Sequence, residues 1–166
     1  MAKKRRIFEP GHGRKLMVVV DESPEVEGAL FYAAGRVLHA GGSVLLLYVI
    51  EPDNQFWEGV RQVQLEEQTN KAKALFRLLR RKMANEGFDA VPVEEVIREG
   101  KKVEEILKHI DEDEDVAILV LGASTETSGP GPLVSSLAVG ATAGKFPIPI
   151  TIVPGELALE DIKALA

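Results

Sequence analysis

Continuous apolar runs separated by helix-like stretches constrain this chain more than any other feature. Lys15 to Val20 (KLMVVV), Ser43 to Ile50 (SVLLLYVI) and Val116 to Leu121 (VAILVL) lack the polar alternation of a half-exposed strand. Such runs predict strands buried on both faces, as in a parallel sheet covered by helices. Two further runs, Val91 to Ile97 (VPVEEVI) and Ile148 to Val153 (IPITIV), carry Pro92 and Pro149. Proline cannot donate to a central ladder, so both predict edge strands.

Between the runs the spacing changes to three and four. Val26, Ala29, Leu30, Ala33, Ala34, Val37 and Leu38 form one stripe, with Ser23 expected as N-cap, Pro24 at the first helical position and Gly41-Gly42 as the stop. A second helix is predicted after the loop that runs to about Glu58, marked most clearly over 72–83 (Ala72, Leu75, Phe76, Leu79, Met83) and ending at Asn85-Glu86-Gly87. A third carries Val103, Ile106, Leu107 and Ile110. A short helix is expected over 137–146, weakened by Gly140 and Gly144 at about 1 kcal/mol each. Glu156 to Leu165 reads as a C-terminal helix. The roles of Phe56 and Trp57, in the loop before the second helix, are left open.

The alternation predicts a single-domain α/β fold, an open parallel five-stranded sheet with helices on both faces and right-handed crossovers. If strands three and five are edges, the order 3-2-1-4-5 satisfies this with adjacent connections. It puts the topological switch between strands one and four, so a ligand crevice is expected at their carboxyl ends. Those ends are Asp21-Glu22-Ser23 and the loop that begins at Gly122. The loop, rich in Ser, Thr, Gly and Pro through Ser136, has the composition of an anion cradle or of a solvated linker.

At 166 residues, 45% of them hydrophobic, one domain is expected, over 15–155 with the 156–166 helix appended. The net charge of −6 supplies no overall attraction to nucleic acid or anionic membrane. Without cysteine there is neither disulfide nor thiol chemistry, and no apolar run approaches the ~18 residues of a membrane span, so a cytoplasmic location is expected. The basic residues of 1–14 predict a solvated, disordered tail. Arg77, Arg80, Arg81 and Lys82 read as a solvated helix face, without interleaved aromatics to stack bases. The acids from Asp111 to Asp115 cannot all converge on one metal ion and read as a solvated turn. His12, His39 and His109 stand apart, each with a surface or capping role expected.

Enzyme signatures are missing. There is no Gly-x4-Gly-Lys-Ser/Thr and no Gly-x-Ser-x-Gly elbow, and Ile97-Arg98-Glu99 does not supply the aspartate of a phosphorylated receiver.

Several strings resemble the universal stress protein family: VVVDESPE after strand one, YVIEP after strand two, and REGKKVEEILKHIDEDEDVAILVLGAS. The resemblance covers Lys15 to about Gly155 and implies an adenine nucleotide alpha hydrolase-like sheet. The family's nucleotide-binding branch carries Gly-x2-Gly-x9-Gly-Ser/Thr after strand four. Here the spacing persists as Gly122-x2-Thr125-x9-Ser135-Ser136, with two of the three glycines replaced.

By that resemblance, ATP or AMP, with or without Mg²⁺, would be bound. Asp21, Glu22 and Ser23 would meet the adenosine, Val49 would offer backbone to adenine, and Gly122, Thr125, Ser135, Ser136 and Leu137 would line the phosphates. A left-handed Thr125 would add strain of about 1–2 kcal/mol. Glu126 stands where the branch often has a basic residue, and no Lys or Arg lies between Gly122 and Gly144. Two functions therefore stay open: a small adenine-nucleotide-binding stress-response protein, at most a slow ATP hydrolase, or a dimeric regulatory module of the same fold that binds no nucleotide. In both, a homodimer is expected through the edge strand Ile148 to Val153, whose unpaired backbone would otherwise face water.

Overall fold

The computed structural model describes residues 3–53 and 57–166, so Phe56 lies outside the described residues. Five parallel strands form the sheet: β1 (Lys15–Val19), β2 (Ser43–Ile50), β3 (Val93–Glu99), β4 (Val116–Ala123) and β5 (Ile150–Pro154). Their order is β3-β2-β1-β4-β5, as the proline-marked edges predict.

Alternate residues of each strand feed two cores. Leu16, Val18, Val44, Leu46 and Val120 face α1 (Val26–Ala40), α2 (Glu58–Asn85) and α4 (Leu159–Leu165), meeting Leu30, Phe76 and Ile162. Met17, Val19, Leu45, Leu47 and Leu119 face the other way, onto Ile106 and Ile110 of α3 (Lys102–Glu112) and onto Val134 and Leu137. Both faces are covered, so the strands need no polar alternation.

Two local expectations change. Helix α1 begins at Val26, and Ser23 does not cap it. The Ser23 N–H instead donates to Asp21 Oδ1 at 2.8 Å, and its hydroxyl donates to the same oxygen, closing a turn that delays the helix. Helix α2 starts at Glu58, where the loop was expected to end, and its buried residues, Ala72, Phe76, Leu79 and Met83, all fall in the predicted stripe. Over 137–146 no regular helix forms: a π-helical turn spans Val134–Val139 and a 3-10 turn spans Ala143–Lys145. Gly140 is extended, at φ −69° and ψ 179°, and Thr142 Oγ1 donates to the Ser136 carbonyl, 3.1 Å away, in place of a continuing helical amide.

The basic segment, expected as a disordered tail, runs along the acidic turn after α3. Arg5 Nη1 donates to the carbonyls of Ile110, Asp113 and Val116 at 2.7, 2.9 and 3.2 Å. The Arg6 N–H meets the Glu114 carbonyl at 3.1 Å, and His12 Nδ1 lies 2.6 Å from Asp115 Oδ1. The acidic run is thus this segment's docking surface, and His12 is not isolated. The basic face of α2 is likewise partnered: Arg80 pairs with Glu95 at 2.8 Å, and Lys82 pairs with Glu27.

Candidate functional site

Parallel strands bring all their carboxyl ends to one edge of the sheet, where the residues expected at a site collect in two places. The first is the crevice between β1 and β4. It holds only about 40 Å³ and is lined by Ser23, Glu25, Val26, Gly122 and the segment Pro130–Val134. A few waters would fill it; a phosphate chain would not.

Gly122 explains why the crevice is narrow. A Cβ built there would stand 2.2 Å from the Glu25 carbonyl oxygen, so only glycine lets the start of α1 press this close to the end of β4. Close packing of backbone on backbone is what this position provides. Three amides of the loop beyond it are bonded within the loop. Ser124 N–H bonds the Pro130 carbonyl at 2.9 Å, Glu126 N–H the Ser124 hydroxyl at 3.2 Å, and Gly129 N–H the Glu126 carbonyl at 3.2 Å. Donors that a cradle would aim at an anion are turned inward.

Thr125 escapes the expected strain. Among the described residues every positive φ belongs to glycine, at Gly129 (129°) and Gly131 (104°) within this loop. The Thr125 methyl would lie 2.9 Å from a Cβ on Gly155, so Thr125 packs against the exit of β5. Ser135 and Ser136 are exposed, while Leu137 is buried in the core and presents no surface to a ligand.

The second place is a cleft of about 350 Å³ beyond the carboxyl ends of β2 and β3, roofed by the first turns of α2. This volume is in the range of small-molecule sites. Val49 lines it, with Tyr48, Glu51, Glu99, Arg61 and Lys102. Burial pushes the Tyr48 phenol above its ordinary value; Lys71 opposes this, and the carboxylates of Glu22 and Asp21 reinforce it. Asp21 and Glu22 thus act on Tyr48 through charge, and neither lines the cleft. Glu22 is itself paired with Lys71 at 2.6 Å. Asp21 commits Oδ1 to Ser23, and its Oδ2 has no partner among the described residues.

The site residues expected from the sequence are therefore divided. Val49 belongs to the large cleft; Asp21 and Glu22 line neither place; Ser23 and Gly122 belong to the closed crevice; Thr125, Ser135, Ser136 and Leu137 serve packing or face solvent. Arg61, Gln64, Gln68 and Lys102 were not expected. They come from the starts of α2 and α3, and over 58–71 no buried stripe marks the turns of α2 that carry three of them. Among the described residues no cluster of three or more His, Asp or Glu is arranged to hold a metal ion. Nor is any helix there long and apolar enough to cross a membrane.

A model of the universal stress protein family matches residues 13–154. No curated protein matches the sequence. Among solved structures, a universal stress protein from Lactobacillus plantarum is 18% identical, with 84% of this chain and 97% of that chain covered and a TM-score of 0.63. One from Archaeoglobus fulgidus in complex with dAMP is 20% identical, covering 84% and 97%, at a TM-score of 0.55. A universal stress protein in complex with cAMP is 16% identical, covering 86% and 98%, at 0.57. A family match over most of the length, together with this sheet order, leads to one assignment: the chain belongs to the universal stress protein family.

Proposed function

We propose that this protein binds an adenine nucleotide of the AMP type and acts in the cytoplasm as a homodimeric stress-response module. The cleft at the ends of β2 and β3 carries the reading: it has the volume for a base and ribose, and Val49 is on its wall. In this reading adenine lies along Val49, the ribose faces the carboxylates, and Gly122, Thr125, Ser135 and Ser136 lie on the phosphate side. The complexes of family members with cAMP and dAMP support a single-phosphate ligand. Mg²⁺ would enter as a counter-ion of the phosphates. Hydrolysis has no nucleophile or base assigned.

A second reading, a dimeric module that binds no nucleotide, is favoured by the inward-turned amides of the 124–130 loop. Calorimetric titration of nucleotide-stripped protein with AMP, cAMP and ATP, with and without Mg²⁺, separates the two. Saturable heat with AMP is the expected result. Absence of heat and of any thermal shift at millimolar ligand would sink the first reading and leave the second.

A further inference from the structure

Resting on the reading of the cleft as an adenine site, we propose that this chain discriminates against phosphate, and that its preferred ligand is an uncharged adenine nucleoside rather than ATP.

Three independent features lead there. The only room of ligand size at this edge of the sheet, among the described residues, is the β2–β3 cleft, while the crevice beside Gly122 is filled by Pro130–Val134. The amides of Ser124, Glu126 and Gly129, which could have received a phosphate, are bonded within their own loop. The charge around the cleft is also of the wrong sign for an anion. Its walls carry Glu51, Asp53, Glu58 and Glu99 against Arg61 and Lys102. Glu126 follows Thr125 in the loop that the proposed reading puts on the phosphate side. Lys71, which acts on the cleft's Tyr48 through its charge, is held by Glu22 at 2.6 Å.

The same carboxylates suit a nucleoside. Glu99 stands opposite Ile50 in the β2–β3 register, one residue from Glu51, and both line the cleft at adjoining strand ends. Neither has an ion-pair partner among the described residues. A ribose diol donates two hydroxyl protons and carries no charge, and carboxylates are the acceptors that proteins use for it. Each phosphate added to that ribose brings negative charge toward an acidic wall, weakening binding by about threefold or more at low salt.

The test is a calorimetric series of adenosine, AMP, ADP and ATP, without Mg²⁺, at about 20 mM and about 300 mM salt. The expected order is adenosine tightest and ATP weakest, at least tenfold apart at low salt, with the gap narrowing at high salt. Glu126→Gln should narrow it at low salt while leaving adenosine affinity unchanged; Glu126 is exposed and its side chain contacts no expected ligand atom. ATP binding as tightly as adenosine overturns the inference and leaves the proposed function standing. A gap that ignores both salt and Glu126→Gln overturns the electrostatic selection. Failure of every ligand overturns the proposed function, and this inference with it.

Discussion

Gly122 sits at the strand end where its family's phosphate loop begins, yet its own geometry states a packing requirement. The Glu25 carbonyl oxygen occupies the place a side chain would take, 2.2 Å from an added Cβ. Backbone cannot yield as a flexible side chain does, so Gly122→Ala should destabilise by about 1–3 kcal/mol, read as a lower urea midpoint. A midpoint unchanged within error would mean that α1 shifts freely at its start. His109 supplies a pH prediction at the same scale. It is half-buried, Arg98 Nη1 lies 3.2 Å from its Nδ1, and its Nε2 is buried without a partner. Burial first, then the Arg98 charge, holds the imidazole below its ordinary value of 6.5, against the nearby carboxylates of Asp113, Glu94 and Glu112. A depressed folded value means that the unfolded chain takes up the proton first as pH falls. Stability should therefore decline from pH 6.5 downward until the folded imidazole also titrates. His109→Gln should flatten that decline between pH 7 and 5.5 in urea titrations. Glu112 and Glu105, held low by Arg98, act in a separate, more acidic window: their contribution is present above the ordinary carboxylate range and is lost as pH falls through their lowered values.

At the scale of elements, the N-terminal strap shows how an exposed-looking segment acquires a place. The carbonyls at the end of α3 have no further helical amides to meet, and the Arg5 guanidinium supplies donors to Ile110 and, beyond the helix, to Asp113 and Val116. Arg5→Ala should lower stability by about 1–3 kcal/mol and increase proteolysis of residues 3–14. Arg5→Lys should restore only part, because an ammonium has no further nitrogens to hold the Lys3 carbonyl as Arg5 Nε and Nη2 do. An unchanged urea midpoint and digestion pattern would show the strap to be idle. The complementarity was visible in the sequence as a basic and an acidic run. Their pairing was not, because they are distant in the chain and become neighbours only where β1 and β4 lie side by side. The first turns of α2 are marked in the sequence only by the end of the loop before them: over 58–71 the helix buries no residue, so no apolar stripe runs through it.

Across the whole molecule, β5 leaves one edge of the sheet without a partner, and Ile152 on it is 38% exposed. Pairing with a second copy would cover both that side chain and the open backbone. Equilibrium sedimentation at tens of micromolar should show a dimer, and Ile152→Lys should shift it to monomer without changing the circular dichroism spectrum. A wild-type monomer at that concentration would count against the β5 interface. The opposite edge, β3, contains charged Glu94, Glu95 and Arg98, with Arg80–Glu95 and Lys15–Glu94 pairs over it, and is the less suited to pairing.

The sequence by itself determined the sheet. Uninterrupted apolar runs require two covered faces, prolines mark the edges, and the order that satisfies both with adjacent connections places the switch point between β1 and β4. It also carried the family's loop spacing and the absence of basic charge from that loop. Only the tertiary structure decided what the switch point could hold. Whether a loop's amides face outward or bond one another depends on turns closed by Gly129 and Gly131, and the width of the crevice depends on how closely α1 approaches Gly122. The cleft at β2 and β3 needed α2 and α3 to arrive from different parts of the chain. Periodicity reports which face of an element is buried; it carries no information about the distance between elements, and the candidate site is made of such distances.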